Sequence, residues 1–368
     1  MPKRILHIIG RMHMGGSETF LMNIYRNIDR KKIQFDFIVH TKEICEYDKE
    51  IEELGGRIYR IPPISKHPIK NMKAIRDILK NNEYQYDTIH RHTNLSIVFT
   101  DLMIAKKMGI KNRYVHAHSN QSQKAKFIHK LCRPILNHLA TKKFACSQAA
   151  AEWLFGKKEA RNTQIIYNAI DVDKFLYSEE IREEIRQVNG ASDKFVIGNV
   201  GRFERAKNHM FIIDIFGEIV RQNENFELWL VGDGSLKSDI QKKVESLGIE
   251  KKVKFFGIRK DVNRIIQGMD IFLFPSIYEG LGISFIEAQI SGIKCYVSEA
   301  IQREAIITNN VKRIYLKEGK EKWALKILSE NLKYDRKIES TSNKVRQFRV
   351  ENLVNIFEKI YLGEKNET

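Results

Sequence analysis

The chain has 368 residues, of which 42% are hydrophobic, 30% are charged and only 6 are proline. This length is comfortable for two domains, and the composition excludes disordered and fibrous proteins. The net charge of +17 is uneven, because residues 1–174 carry 31 basic and 17 acidic side chains whereas residues 175–368 carry 32 and 29.

We expect no secretion signal at the amino terminus. Lys3 and Arg4 precede only a short apolar run, which Gly10 and Arg11 interrupt. The most apolar later stretch, residues 271–297, contains charged residues and so predicts no uninterrupted membrane span. We therefore expect a cytoplasmic protein that is at most peripheral on the inner face of the membrane, and we expect its four separated cysteines to be buried free thiols.

Short β-rich runs alternate with helix-period segments through the first half. The first strand, Arg4–Ile9, leads through a glycine turn into a helix over Ser17–Ile28, for which Ser17 is a candidate N-cap. Further strands are predicted at Phe35–Val39, Arg57–Ile61, Thr88–His90, Arg113–Val115, Phe144–Cys146 and Gln164–Tyr167. Helices are predicted between them at Met72–Leu79 and Leu95–Met108. This alternation indicates a parallel sheet covered on both faces.

The alternation restarts after residue 175. Its strands are predicted at Phe195–Asn199, Phe226–Val231, Val253–Phe256, Ile271–Phe274 and Cys295–Val297. Because open parallel sheets bind ligands at the carboxyl ends of their strands, we predict two doubly wound α/β domains that face each other across a cleft. They cover residues 1–174 and 175–345, and a final helix over 346–368, which overlaps the apolar pattern Ser342–Tyr361, could cap either one.

Two carboxylates stand eight positions apart after the strand Ile271–Phe274. Glu279 lies in a glycine-rich turn, and Glu287 is predicted about two turns into the next helix, on a compatible face. The glycines let backbone approach an anion, and free N–H groups at a helix start suit a phosphate. The residues concerned are Gly280, Leu281, Gly282 and Ile283. An ordinary loop would explain the glycines alone.

Two cations follow the strand Phe195–Asn199. Arg202 and Lys207 stand in a glycine-led loop, and we expect them to converge on one anion; two solvated loop charges are the alternative. Other glycine turns after strands include Gly232 and, in the first half, Gly15 and Gly16, whose backbone could face an anion or a second substrate.

Histidines cluster at two predicted strand ends. These are His90 and His92, then His116 and His118. We expect His116 to point away from His118, so that metal binding is the weaker interpretation. For His90, His92 and His116 a structural role is as good an interpretation as a functional one. The acidic pair at Asp171 and Asp173 lies in a predicted linker, which argues against a metal site there.

Together these motifs resemble those of retaining glycosyltransferases of family 4. The resemblance rests on the spacing of Glu279 and Glu287, on Gly201-Arg202 followed by Lys207, and on the first glycine loop, and it spans nearly the whole chain. Departures are Ala169, where the family usually has glycine, and Lys294, where related sequences often have proline. The resemblance implies a GT-B fold with two Rossmann-like domains.

The resemblance also implies roles for individual residues. Glu279 is expected to hold hydroxyls of the donor sugar, Glu287 the ribose of the nucleotide, and His118 to contact the donor sugar. Arg202 and Lys207 are expected to stabilise the charge that develops on the leaving diphosphate. Gly232 lies in a turn that resembles one near the nucleotide base.

The implied reaction moves a sugar from a nucleotide diphosphate sugar, with UDP-sugar favoured, onto an acceptor saccharide. Retention of configuration is implied by the resemblance only, and the interpretation requires no cofactor or metal ion. The run from Arg113 to Ser119 and Tyr334-Asp335 resemble capsule and exopolysaccharide enzymes. A nucleotide-sugar epimerase is the related alternative. A basic nucleic-acid-binding protein is the alternative of a different class, but no aromatic residues are interleaved with its basic ones and we expect no nucleic-acid partner.

The basic surplus of the first half predicts an anionic partner. Residues 102–161 hold 13 basic and 2 acidic side chains. We expect them to bind an anionic membrane surface that presents a lipid-diphosphate-linked acceptor; a solvated charged face is the alternative. The candidates are Lys106, Lys107, Lys111, Lys124, Lys126, Lys130, Arg133, Lys142 and Lys143.

Overall fold

The computed structural model describes residues 1–80, 85–119, 126–331, 334–338 and 340–364, without the side chain of Lys126. Two compact units make up the chain. The first comprises Met1–Ala169 and the segment that begins at Gln347, and the second comprises Ile170–Arg346. Within the described residues, no helix has both the length and the apolar character needed to cross a membrane.

The first unit is built on a sheet of seven parallel strands in the order β3-β2-β1-β4-β5-β6-β7. Its central strands are buried on both faces, as the run Ile33–Val39 illustrates, because helices cover both sides. The strands are β1 Lys3–Ile9, β2 Ile33–Val39, β3 Ile58–Arg60, β4 Thr88–Thr93, β5 Asn112–Ala117, β6 Lys142–Ala145 and β7 Gln164–Ile165.

The second unit repeats this plan with six parallel strands in the order β10-β9-β8-β11-β12-β13. The strands are β8 Phe195–Val200, β9 Phe226–Val231, β10 Val253–Gly257, β11 Ile271–Phe274, β12 Lys294–Val297 and β13 Val311–Arg313. The predicted fold class, two Rossmann-like units, is therefore confirmed, and each of the predicted strands is present. The short strand β13 was not predicted.

Helices connect the strands in both units. The first unit contains α1 Gly16–Asn27, α2 Asp48–Glu53, α3 Pro68–Lys80, α4 Phe99–Lys107, α5 Lys126–Leu139, α6 Gln148–Phe155, α7 Lys157–Ala160 and α16 Val350–Leu362. The second contains α8 Val172–Phe175, α9 Glu179–Val188, α10 His209–Gln222, α11 Lys237–Ser246, α12 Val262–Gln267, α13 Ile283–Ile290, α14 Gly319–Leu328 and α15 Asn343–Arg346.

In each sheet the strand order reverses direction at one point. That point lies between β1 and β4 in the first unit and between β8 and β11 in the second. The loops that leave neighbouring strands on either side diverge there and open a crevice at the carboxyl edge, where doubly wound sheets bind ligands. The strand order thus singles out the loops after β8 and β11 in the second unit.

The carboxyl-terminal segment divides differently from the single helix that its apolar spacing predicts. Helix α15 ends at Arg346 and α16 begins at Val350, and the division between the two units falls between them. Helix α16 belongs to the first unit, where Phe357 is fully buried beside the rings of Phe20 and Phe144. The last helix therefore completes the core of the domain that begins at residue 1.

We expect Phe357→Ala to lower the free energy of unfolding of the first unit by about 3–5 kcal/mol, because it leaves a cavity among aromatic rings. Asn355→Ala, at an exposed position of the same helix, is the matched control and should change it by less than about 0.5 kcal/mol. Urea unfolding measures both. Equal effects of the two substitutions would mean that α16 does not contribute to the core.

Candidate functional site

An ion pair joins the two loops at the point where the second sheet reverses. The Nζ of Lys207 lies 2.5 Å from Oε2 of Glu279, and the two side chains are only 20% and 14% exposed. The same Nζ lies 4.7 Å from the centre of the Phe274 ring. Ser276 and the backbone N–H of Gly280 also donate to the Glu279 carboxylate, at 3.4 and 3.2 Å. The sequence motifs therefore meet at one place.

Backbone hydrogen bonds hold these loops together beside the ion pair. The N–H of Ile277 donates to the carbonyl of Ala206 at 2.8 Å, and the Asn208 amide donates to the carbonyl of Pro275 at 3.1 Å. Asn208 adopts a left-handed conformation with φ of 59°, which is uncommon for a residue other than glycine. Such a conformation persists only where its surroundings enforce it, so the loop is tightly specified.

The start of helix α13 provides backbone donors at the same edge. Gly282 precedes the helix with φ of 73°, a conformation that favours glycine. The N–H groups of Ile283 and Ser284 have no protein acceptor among the described residues. The Ser284 hydroxyl donates to the carbonyl of Val200 at 2.8 Å and thereby anchors this helix start to the end of β8. The arrangement suits an anion.

Glu287 lies just over one turn into α13, not about two turns, because the helix begins only at Ile283. Its side chain is partly buried, and within the described part of the chain no group donates to its carboxylate. Burial raises the pKa of Glu287 to about 7. Glu279 and Glu287 thus differ: the first is paired with a cation, and the second is enclosed without one.

Among the described residues, Arg202 and Lys207 have different protein partners, although the sequence predicted that they would converge on one anion. Arg202 is 80% exposed and lies 3.1 Å from Glu204. The reason is local, because Glu204 is only two residues away, whereas Lys207 reaches Glu279 on the other loop. An anion held by both cations would require Arg202 to leave Glu204.

Gly232 is a point of close backbone packing. A Cβ atom at this position would lie 2.1 Å from the carbonyl oxygen of Gly201, and the residue has φ of 137°. Its N–H donates to the carbonyl of Gly257 at 2.8 Å. Glycine is therefore required here to bring the turn after β9 against the start of the cation-bearing loop.

His209, the first residue of α10, was not singled out from the sequence. It is fully buried, and neither ring nitrogen has a hydrogen-bond partner among the described residues. Burial, with Lys207 nearby, lowers its pKa to about 4. The signal was its place immediately after the Lys207 motif.

In the first unit, the glycine loop after β1 leads into α1 as predicted, but Ser17 is not the N-cap. The helix begins at Gly16, and Gly15 occupies the capping position. The Ser17 hydroxyl instead donates to the carboxylate of Glu18 at 2.8 Å. The start of this helix is therefore formed by Gly15 and Gly16, which have no side chains to cover its backbone.

Five imidazoles form a histidine cluster at the carboxyl ends of β1, β4 and β5. Its members are His7, His90, His92, His116 and His118, and all lie on one face of the sheet. The expectation that His116 and His118 point in opposite directions is wrong. Alternate residues of a strand share a face, and these two rings stack with centres 4.3 Å apart.

His7 completes the cluster but was not recognised from the sequence, because it is an isolated histidine in β1. The strand order places β1 beside β4 and sets His7 opposite His90. His7 Nδ1 lies 3.1 Å from His92 Nε2, and His92 Nδ1 lies 2.8 Å from His118 Nε2. The three rings form a chain that ends at His118.

His118 is the partly exposed end of this chain. The amide oxygen of Asn94 accepts the backbone N–H groups of His118 and Ser119, at 3.2 and 3.0 Å, and fixes the end of β5. Burial lowers the pKa of His118 to about 3, and that of His90, His92 and His116 well below the ordinary value. The imidazoles are therefore neutral near pH 7.

Other predicted features have ordinary surroundings. Asp171 pairs with Lys174 at 2.6 Å, and neither it nor Asp173 belongs to a cluster of metal-binding side chains within the described residues. The cysteines are free: Cys45, Cys146 and Cys295 are buried as predicted, and Cys132 is partly exposed.

The described members of the nine basic residues proposed to face a membrane divide into two groups, those with protein partners and those exposed to solvent. Arg133 donates to the carbonyl of Trp153, and Lys143 pairs with Glu159, so both are directed to protein partners. Lys124 and the side chain of Lys126 lie outside the described residues. The exposed members are Lys106, Lys107, Lys111, Lys130 and Lys142.

Helix α5, which carries Lys130, also has an exposed apolar stripe. Phe127, Ile128, Leu131 and Ile135 are 79%, 46%, 67% and 45% exposed, and their spacing places them on one side of the helix. This stripe was not predicted from the sequence, although its apolar residues recur at helical spacing. A helix with an exposed apolar face and flanking cations is suited to a membrane interface.

Comparison with known proteins gives two matches that together cover most of the chain. The family described as Glycosyltransferase Family 4 matches residues 14–174, and the family described as Glycosyl transferases group 1 matches residues 181–346. Both units described above are therefore matched, each by its own family.

Two named relatives and one solved structure extend this similarity. EpsF of Bacillus subtilis (strain 168), a glycosyltransferase by name, is 33% identical over 88% of this chain and 86% of its own. An Escherichia coli UDP-Gal:alpha-D-GlcNAc-diphosphoundecaprenol alpha-1,3-galactosyltransferase is 25% identical over 75% of this chain and 74% of its own. Anabaena Alr3699/HepE, solved in complex with UDP and glucose, has 18% identity and a TM-score of 0.76, covering 98% of this chain and all of that one.

The raised pKa of Glu287 predicts a specific pH dependence of stability. Between about pH 4.5 and 7 the folded protein keeps a proton that the unfolded chain has released, so the free energy of unfolding falls as the pH rises. Glu287→Gln cannot ionise and should be more stable than the wild type by about 3 kcal/mol at pH 8, with a smaller difference at pH 5.

Urea unfolding at the two pH values tests this expectation. Glu245→Gln, at an exposed position of α11, is the control and should keep the wild-type pH dependence. If the stability of Glu287→Gln depends on pH as that of the wild type does, the pKa of Glu287 is not raised in the folded protein.

Proposed function

The chain belongs to the family 4 glycosyltransferases, and we propose that it moves a hexose from a UDP-sugar onto a saccharide carried by a lipid diphosphate. We place this transfer, with retention of the anomeric configuration, in capsule or exopolysaccharide synthesis. The observation that carries the proposal is the Lys207–Glu279 pair beside the start of α13, where the second sheet reverses. Cation, carboxylate and backbone donors lie together there, as a diphosphate sugar requires.

Relatives support the choice of donor and acceptor. The HepE structure contains UDP and glucose, and the name of the Escherichia coli relative specifies a UDP-galactose donor and a diphosphoundecaprenol acceptor. A lipid diphosphate also agrees with the exposed lysines of the first unit, since an anionic headgroup needs cations.

The second unit would hold the nucleotide. In the proposed arrangement Glu287 accepts hydrogen bonds from the ribose, and Lys207 with the N–H groups of Gly282 and Ile283 contacts the diphosphate. Arg202 joins them after leaving Glu204. Glu279 then holds hydroxyls of the sugar, and no metal ion is assigned a role.

Retention would follow from attack on the face that the diphosphate leaves. The bond between the anomeric carbon and the phosphate oxygen breaks as the acceptor oxygen bonds to that carbon, and the acceptor proton passes to the departing phosphate oxygen. Glu279 is engaged by Lys207 and serves poorly as a nucleophile that forms a glycosyl-enzyme. In this mechanism the chain's cations stabilise charge on the leaving group.

Nucleotide binding and transfer should respond differently to the two members of the ion pair. Lys207→Ala should weaken UDP binding roughly 10- to 100-fold, because a charged hydrogen bond to phosphate contributes about 1.5–3 kcal/mol. Glu279→Gln should leave UDP binding unchanged or tighten it, since Lys207 is released for the diphosphate, while transfer is lost. Calorimetric titration in EDTA and product analysis measure the two effects.

Lys242→Ala, an exposed lysine of α11, is the control for the calorimetry. GDP and ADP are titrated beside UDP to test the base preference. If none of the three binds, or if Lys207→Ala binds UDP as the wild type does, the donor site is wrongly placed. Conversion of the nucleotide sugar into a different nucleotide sugar, without transfer of the sugar to an acceptor, would indicate an epimerase.

Membrane binding should depend on both the apolar stripe and the lysines. Lys106→Glu with Lys107→Glu should weaken sedimentation with anionic vesicles roughly 30-fold or more, because each basic residue contributes about 1 kcal/mol near an anionic leaflet. Phe127→Ser with Leu131→Ser should also weaken it, and this loss should persist at high salt, since apolar insertion is not screened.

The matched control reverses the same number of charges in the second unit, by Lys242→Glu with Lys251→Glu at exposed positions. We expect this variant to bind vesicles as the wild type does. If both charge-reversed proteins lose vesicle binding equally, the loss is explained by net charge and not by a specific surface. If the wild-type protein does not bind anionic vesicles, the membrane proposal is wrong.

A further inference from the structure

The histidine cluster contains more unpaired nitrogen atoms than a structural core needs. Within the described residues, Nε2 of His7, Nε2 of His90, Nδ1 of His118 and both nitrogens of His116 are buried without a hydrogen-bond partner. A buried polar atom without a hydrogen-bond partner destabilises the folded protein. Aromatic rings surround the cluster, with Phe20 4.9 Å from His116 and 5.2 Å from His118. Simple packing would favour apolar residues here.

Three members of the cluster converge at its outer end. One nitrogen from each of His92, His116 and His118 lies within 4.8 Å of the other two. A tetrahedral metal ion with bonds of 2.0–2.1 Å places its nitrogen ligands about 3.3 Å apart. Rotations that move the ring nitrogens by on the order of 1 Å would therefore close the site.

The chemistry of these ligands selects a class of ion. The set offers neutral imidazoles without a carboxylate or thiolate, which suits zinc and its neighbours in the first transition row and not magnesium or calcium. Imidazole enclosed among apolar rings is uncharged, and the neutral ring is the form that binds metal.

Access distinguishes this triad from the deeper one formed by His7, His90 and His92. His7 and His90 are fully buried, whereas His118 is partly exposed at the end of β5. Among the described residues, His118 is the member of the outer triad that has solvent-exposed surface, and this is the side from which we expect an ion to enter. Three protein ligands also leave a fourth position for water or another small ligand.

We propose that His92, His116 and His118 form a binding site for a divalent transition-metal ion of the zinc class. The site goes beyond the proposed transfer reaction, in which no metal takes part. Because His118 would belong to both, bound metal is expected to oppose any contact between His118 and the donor sugar.

Cobalt is the probe for this site, because tetrahedral Co²⁺ absorbs visible light when nitrogen ligands surround it. Protein without a histidine tag, stripped with EDTA and freed of chelator, should develop this absorption at one Co²⁺ per chain, and one equivalent of Zn²⁺ should remove it. His116→Gln should weaken binding at least tenfold, since loss of even an outer-shell partner costs 10- to 100-fold.

A second variant and a control make the result decisive. His118→Gln, at the partly exposed rim, should weaken Co²⁺ binding even if His116→Gln proves unstable, and His138→Gln, an exposed histidine of α5, should not. Wild-type protein that takes up no stoichiometric Co²⁺ or Zn²⁺, or a His118→Gln variant that binds as tightly as wild type, overturns the proposal. Because UDP binding is measured in EDTA, failure of the metal site leaves the transferase assignment standing.

Discussion

The ion pair between Lys207 and Glu279 is the interaction on which the candidate site depends. Both side chains are largely buried, and each charge would be costly without the other. The pair connects the loop after β8 with the loop after β11, and the hydrogen bond from Ile277 to Ala206 reinforces the connection. The loops are thus held in place by contacts within the protein. An ammonium group has three donors, so Lys207 can also serve a phosphate.

Glu287 shows why two carboxylates on neighbouring elements can serve different purposes. Glu279 lies beside the ammonium group of Lys207, whereas burial raises the pKa of Glu287 to about 7 and favours its protonated form at acidic pH. Hydroxyl groups that donate to a carboxylate stabilise its ionised form and would move this pKa down again. A ribose at Glu287 would therefore supply hydrogen bonds that the described residues do not provide, and binding would offset the destabilisation caused by burying this carboxylate.

The sequence predicted well those features that depend on residues close together along the chain, such as the positions of the strands. Buried runs such as Phe226–Val231 and Ile271–Phe274 were predicted with their observed bounds, because parallel strands enclosed on both faces are continuously apolar. Partners supplied by the fold were less predictable. His7 is an ordinary strand residue until β1 and β4 become neighbours, and the partner of Arg202 is Glu204, which the sequence did not predict. The relative direction of His116 and His118, by contrast, could have been predicted correctly, because alternate residues of a strand lie on the same face.

Net charge alone would not have directed attention to the candidate donor site in the second unit. Lys207 pairs with Glu279 and Arg202 with Glu204, so the cations of the candidate donor site add little to the overall charge of the second unit. The surplus resides in residues 1–174, where lysines such as Lys106 and Lys107 are exposed and no described carboxylate pairs with them. Unpaired surface cations act over a Debye length and attract an extended anionic surface, whereas paired cations act only on a ligand that reaches them. The two kinds of basic residue therefore suit different partners, a membrane surface for the first unit and a single diphosphate for the second.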